Sequence, residues 1–303
     1  TSIGVLVAFF GYIHHFFQPI RTLSELYNHM LNAMAAAERI FKLIDTPIFI
    51  KDKAGAKEIE TIQERICFQD VWFSYDSKTP VLKGISFTVY PGQTVALVGP
   101  TGAGKSSIMN LIARFYDYQK GQITIDGIEL KDIKIESLRK RMGIVLQDTF
   151  LFDGTIAENI RYGRLEATDE EIEKIAKIIG VDEFIQQLPE KYQTRVREQG
   201  SRLSGGQRQL ISFSRALLRN PQILILDEAT SSIDAYMEMK IQKALTELFK
   251  NRICFVAAHR LSTIRQANLI LVIKDGKIVE SGRHEELLLS LIHISEPTRP
   301  LYI

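Results

Sequence analysis

The chain has 303 residues, enough for one large domain or two modest ones. It is 45% hydrophobic and 24% charged, an ordinary globular balance, and a net charge of +2 gives no case for a nucleic-acid partner. Its 2 cysteines, Cys67 and Cys254, each sit in an apolar strand-like run. They read as reduced core thiols facing the cytosol, which excludes a disulfide or metal framework.

Residues Ile3 to Phe17 are almost wholly apolar. The stretch is shorter than the roughly 20 residues of a membrane span. No basic leading region or small-residue cleavage site accompanies it, so it does not read as a signal peptide. Leu23, Leu26, Tyr27, Met30, Leu31, Met34 and Ile40 follow at helical spacing. By itself this pattern also suits a buried amphipathic helix of a soluble protein. Thr46-Pro47 and the polar run Lys51 to Glu58 mark a linker. Ile66 to Tyr90 reads as an antiparallel β part and includes the strand-like run Phe68 to Tyr75.

Thr94 to Val98 reads as a short buried strand, and Ser107 to Ala113 as a helix. Between them, Gly99-Pro100-Thr101-Gly102-Ala103-Gly104-Lys105-Ser106 fills the pattern G-x-x-x-x-G-K-[ST] of a phosphate-binding loop. Its four fixed positions should match by chance in about 1% of chains this long. The glycines let successive backbone N–H groups turn inward, and the helix that continues through Ser107 adds its positive end. Lys105 is expected on the β- and γ-phosphates and the Ser106 hydroxyl on Mg²⁺.

Gly143 to Leu146 is another buried-strand pattern, followed by Gln147. Thr155 to Arg219 holds a helical insert with turn cues at Gly163, Gly180 and Pro189. Leu203-Ser204-Gly205-Gly206-Gln207 opens its last helix, which runs to Leu218. Ser204 can cap that helix, but a cap has no need of two adjacent glycines. Ile223 to Leu226 then delivers Asp227 and Glu228 at the C-terminal end of an apolar strand. Cys254 to Ala258 is a strand pattern ending at His259, and further strands lie at Leu269 and Lys277.

A phosphate loop, then LSGGQ, then an apolar strand closed by Asp-Glu resembles the ATP-binding cassette (ABC) ATPases. The signature sequence stands without a substitution. The resemblance implies an α/β fold: a P-loop NTPase cassette with a parallel-sheet core, an antiparallel β subdomain and an α-helical subdomain. It implies that the Tyr75 ring stacks on adenine and that Gln147 lies near Mg²⁺ and the attacking water. Ser231-Ser232-Ile233-Asp234 resembles the D-loop, keeping Asp234, and His259 occupies the place of the switch histidine on the γ-phosphate. Thr194 to Gly200 resembles the exporter X-loop, with Arg197 where glycine is common. Asp227 is expected to hold Mg²⁺ directly or through water, and Glu228 to act as general base or water-orienting group. The family's site is shared, so Ser204, Gly205, Gly206 and Gln207 of one cassette face the phosphate loop of another. A homodimer with two competent sites is favoured, and an asymmetric heterodimer remains open.

Residues Phe16 to Phe41 look like the last transmembrane helix of a type IV ABC exporter, running on into the cytoplasm. Arg21 and Arg39 agree with the positive-inside bias. The expected division is the end of a last membrane helix at 1–45, a linker at 46–60, an ATP-binding domain at 61–288 and a tail at 289–303. The chain is thus expected to begin inside the span. Leu289 to Arg299 resembles a translated sequencing adapter, so that tail carries no functional reading. The expected protein is an exporter subunit of the cell membrane, multi-pass when intact, with its cassette in the cytoplasm. Its partners would be a second half-transporter, membrane lipid and a transported lipid, drug or peptide. Two other readings stand beside it. A soluble ABC ATPase is disfavoured by Ile3 to Phe17. A half-transporter that binds ATP without turnover is disfavoured by Glu228, Ser204 and His259.

Overall fold

The computed structural model describes residues 2–76, 78–146, 149–196, 203–227, 235–258 and 261–288, without the side chains of Ala235, Leu261 and Ser262. They form two compact units divided between Phe49 and Ile50.

The first unit is helix α1 (Ile3–Ile44), 42 residues long, with Pro19 in its interior and no buried side chain. The apolar run and the periodic run expected from the sequence form one helix. An 18-residue window of it reaches a mean hydropathy of 1.4, so it is long and apolar enough to cross a membrane. At 1.5 Å per residue it spans about 63 Å, twice the roughly 30 Å of a bilayer's hydrocarbon core.

The second unit is built on two sheets. Strands β1 (Ile66–Phe73), β2 (Leu82–Val89), β4 (Lys120–Ile125) and β5 (Ile128–Glu129) form an antiparallel sheet in the order β2-β1-β4-β5. Strands β3 (Thr94–Val98), β6 (Met142–Val145), β9 (Ile223–Asp227), β10 (Ile253–Ala257), β11 (Leu269–Lys274) and β12 (Lys277–Gly282) form the larger sheet. Its order is β12-β11-β3-β10-β9-β6, parallel except for the edge pair β11–β12. The central strands are covered on both faces, so they read as unbroken apolar runs.

Alternate residues of that sheet feed two cores. Ala96, Leu224, Leu226, Cys254 and Val256 point into one, shared with helices α4 (Ile156–Arg161), α5 (Asp169–Ile179), α7 (Gly205–Leu218) and α8 (Ala235–Phe249). Val95, Leu97, Ile223, Ile225, Ile253 and Phe255 point into the other, shared with the antiparallel sheet, α2 (Lys105–Ile112) and α3 (Ile135–Lys140). The helical insert also contains α6 (Asp182–Ile185) and a small hairpin of β7 (Gly154–Thr155) with β8 (Arg195–Val196). Helix α9 (Leu261–Gln266) precedes β11.

The two thiols differ. Cys254 is buried, and desolvation pushes its thiol up to about 12, which keeps it neutral and inert. Cys67 is only half-buried, a correction to the expected core thiol. It lies at the alternate position of β1 between Ile66 and Phe68, which face the core, and accepts a hydrogen bond from Thr88 Oγ1 at 3.5 Å.

Candidate nucleotide site

The sheet register places the site. Leu97 of β3 pairs with Ala257 of β10, Ala257 with Asp227 of β9, and Leu226 of β9 with Val145 of β6. The C-terminal ends of these four parallel strands therefore share one row, the edge where open α/β sheets bind ligands. The phosphate loop leaves β3 at that row, and Asp227 ends β9 there. Gln147, Glu228 and His259 follow β6, β9 and β10 in the chain. They and Asp234 lie outside the described residues, as do Arg197 and most of the expected X-loop.

Local sequence shapes the loop. Gly104 has φ +111° and is the N-cap of α2, and a Cβ there would stand 2.6 Å from Leu82 Cδ2. Glycine alone meets both demands. Lys105 is 8% exposed, and its Nζ donates to the carbonyls of Gly99 at 2.8 Å and Pro100 at 3.0 Å. The ammonium is thus held inside the curl of the loop. Helix α2 starts at Lys105, two residues earlier than its apolar pattern suggests, and has no side-chain cap. Among the described residues, the N–H groups of Lys105, Ser106 and Ser107 take no protein acceptor. Three orphan donors, a helix dipole and an ammonium form a donor set that fits a phosphate.

Ser106 and Asp227 line one small crevice with Asn110, Val145 and Ile225. A hydroxyl and a carboxylate are the hard oxygen ligands that Mg²⁺ takes while keeping waters and phosphate oxygens. Among the described residues no group of three or more His, Cys, Asp or Glu could hold a metal.

Tyr75 lies two residues beyond the end of β1 and reaches α2. Its hydroxyl shares a hydrogen bond with Ser107 Oγ at 3.0 Å and lies 3.4 Å from Asn110 Nδ2, which donates to it. Its ring meets Phe73 and Tyr116 edge-to-face, with centroids 4.7 and 4.9 Å away. It is 50% exposed, so an aromatic surface stands beside the loop. Sequence reasoning missed Asn110. The available signal was its spacing, three and four residues after Ser107 and Ser106 on one face of α2.

At the start of α7, Ser204 is the N-cap. Its Oγ accepts from the Gln207 N–H at 3.3 Å while Gln207 Oε1 accepts from the Ser204 N–H at 2.9 Å. This reciprocal capping box fixes both side chains. Gly206 is buried, and a Cβ there would collide with the Met237 side chain of α8. Gly205 is exposed, and among the described residues nothing would lie nearer than 4.0 Å to a Cβ there. One glycine of the pair therefore serves packing within the chain, and the other is open to close approach from outside. The structure brings together Tyr75, Gly99 to Ser107 and Asp227. Among the described residues no hydrogen bond joins Ser204 to Gln207 with that group.

A mononucleotide-binding loop at the strand ends of a parallel sheet, beside an antiparallel sheet and a helical insert, defines a P-loop nucleotide-binding cassette. Residues 82–231 match the ABC transporter family. The ABC transporter ATP-binding protein YknV of Bacillus subtilis is 53% identical over 287 residues, covering 95% of this chain and 48% of that protein. A fatty acid ABC transporter ATP-binding/permease protein of Mycobacterium bovis is 48% identical over 287 residues, covering 95% and 45%. The structure of a bacterial Atm1-family ABC exporter with ATP bound superposes with a TM-score of 0.78 at 37% identity, covering 99% of this chain and 54% of that one. The chain belongs to the ABC transporter family. It spans about half the length of the relatives it matches.

Proposed function

We propose that this chain is the ATP-hydrolysing part of an ABC exporter subunit in the cell membrane. Its α1 would be the end of a last membrane helix, and its cassette would work in the cytoplasm. The observation that carries the reading is the shared row of strand ends, which sets the uncapped α2 terminus and Lys105 beside the crevice of Ser106 and Asp227. In this reading 1–45 is the end of the membrane helix, 46–60 the segment joining it to the cassette, 61–288 the cassette and 289–303 the tail.

In this reading Tyr75 stacks on the adenine, and the loop from Gly99 to Ser107 wraps the phosphates. Lys105 neutralises the β- and γ-oxygens. Mg²⁺, held by Ser106 and Asp227 with Gln147 nearby, supplies charge neutralisation on the phosphates. Glu228 accepts the proton of the attacking water, and His259 contacts the γ-phosphate. Positioning and charge then account for most of the acceleration. Ser204 to Gln207 and Asp234 act across a dimer on the partner's nucleotide. The exposed Gly205 supports that, because a glycine without packing neighbours leaves the start of α7 open to close approach. A homodimer is favoured, since the sequence keeps both the phosphate-loop and the signature elements. The transported compound is a lipid, drug or peptide. Names among the relatives, which include a fatty acid transporter and a lipid A-core flippase, agree with an amphipathic cargo.

Glu228→Gln tests the chemistry. It keeps shape and hydrogen bonding but removes the basic oxygen. ATP should still bind, while turnover falls on the order of 10²-fold or more. Steady-state phosphate release near the unmutated rate would remove Glu228 as the base.

A further inference from the structure

The segment that leads from α1 to β1 is strapped to the cassette. The Lys57 N–H donates to Asp132 O at 2.7 Å, and the Lys134 N–H donates to Lys57 O at 2.8 Å, a parallel bridge. Ser137 Oγ accepts from the Ile59 N–H at 2.7 Å, and Asp52 Oδ1 accepts from the Ile135 N–H at 2.9 Å. Ile59 and Ile62 are buried in the same core as Leu130, Ile133 and Leu138. A polar run that reads as a linker is therefore docked onto the 3-10 turn Leu130–Asp132 and α3.

One side chain joins this strap to the nucleotide site. Arg114 follows the C-cap of α2, the helix that begins at the phosphate loop. Its N–H donates to Leu111 O at 3.0 Å and the Phe115 N–H to Asn110 O at 2.9 Å, the closing bonds of a Schellman turn. That turn places Arg114 at φ +50°, where glycine is the unstrained choice. An arginine kept there points to its side chain, following the inference from a backbone outlier to a role. The side chain is 1% exposed. Its Nη1 donates to Ile133 O at 2.6 Å and its Nη2 to Lys51 O at 3.1 Å. Asp52 pairs with Nη1 and Asp117 with Nε as ion pairs at 3.6 Å, and among the described residues Nε has no hydrogen-bond partner. Arg139 of α3 reaches back, its Nη2 donating to Arg114 O at 2.9 Å. A buried guanidinium on two carbonyls and flanked by two carboxylates is tied at once to the strap, through Lys51 and Asp52, and to the turn after α2, through Asp117.

We propose that Arg114 is a positioning residue that ties the phosphate-loop helix to the strap Lys51–Ile62, so that nucleotide at the loop is registered in the segment leading out of α1. Rigid α2, about 12 Å long at 1.5 Å per residue, carries the displacement from Lys105 to Arg114. The strap carries it into the chain that follows α1. The proposal rests on nucleotide binding at the loop, and needs no turnover.

The test is amide hydrogen exchange of the 303-residue chain in detergent micelles, with and without a non-hydrolysable ATP analogue plus Mg²⁺. Exchange at Lys57 and Ile59 should slow about threefold or more on binding. Arg114→Gly keeps the left-handed backbone and deletes the clamp. It should bind the analogue within about twofold of the unmutated chain, exchange the strap about tenfold faster and lose the nucleotide response. Arg114→Lys should also lose the response, because an ammonium cannot replace the planar fork on two carbonyls. If Arg114→Gly does not fold, Asp117→Asn leaves the backbone untouched and should weaken the response in the same direction. A strap that responds to nucleotide equally in the unmutated chain and in Arg114→Gly, or in Asp117→Asn where Gly does not fold, overturns the proposal and leaves Arg114 a structural residue. So does a strap that never responds. A responding strap without ATP turnover would instead count against the ATPase reading alone.

Discussion

At the scale of single residues, the site depends on groups whose second partners were hidden in the sequence. Tyr75 is held by Ser107 and Asn110 through its hydroxyl, and by Phe73 and Tyr116 through its ring edges. The hydroxyl positions the ring, and the exposed ring surface is what adenine would meet. Tyr75→Ala should therefore weaken ATP binding by about 1–2 kcal/mol, within the roughly 1–3 kcal/mol of one base–aromatic stack. Tyr75→Phe loses the hydroxyl's two hydrogen bonds but keeps the packed ring, and should be nearly silent in calorimetry. Equal affinities for the Ala and Phe variants would take Tyr75 out of the site.

At the scale of elements, α7 carries two duties that one substitution can separate. Ser204 caps the helix and is expected to face a partner's nucleotide. Ser204→Asp preserves the cap, because Asp is as good an N-cap as Ser, but sets a carboxylate against phosphate. Its melting temperature should match that of the unmutated chain while ATPase activity is lost. Ser204→Ala should instead cost about 1 kcal/mol of stability through the lost cap. An active Ser204→Asp would mean the signature acts through helix stability alone. For α1 the prediction concerns solubility. Large apolar side chains such as Phe9, Phe10, Phe16, Leu23 and Leu26 are all exposed along it. The chain should aggregate or require detergent, whereas residues 61–288 alone should be soluble. A 303-residue chain that is monodisperse without detergent would return the soluble-ATPase reading.

At the scale of the whole molecule, the decisive property is whether a site is shared. Lys105→Ala removes the phosphate clamp and keeps LSGGQ; Ser204→Arg does the reverse. Mixed in one membrane, the two chains can assemble one intact composite site per heterodimer. Partial recovery of ATPase activity is expected on mixing. No recovery, with mixed dimers confirmed by crosslinking, would show that each cassette works alone.

The sequence by itself determined the motif-bearing elements. Thr94 to Val98, Ile223 to Leu226 and Cys254 to Ala257 are unbroken apolar runs because parallel strands are covered on both faces. Gly99 to Ser106 is legible because a backbone cradle for phosphate admits few residue types at few spacings. Only the tertiary structure decided the rest. The strand order β12-β11-β3-β10-β9-β6 brings Ser106 and Asp227, 121 positions apart in the numbering of the chain, to one crevice. Strand order leaves no local pattern, since each strand is apolar whichever neighbour it takes. The same holds for Gly206, whose need is set by Met237 on another helix, and for Cys67, whose exposure is set by which face of β1 the antiparallel sheet buries. It holds most for the polar run from Lys51 to Glu58. Local composition made it a linker, and the buried guanidinium of Arg114, 63 residues from Lys51, made it part of the cassette.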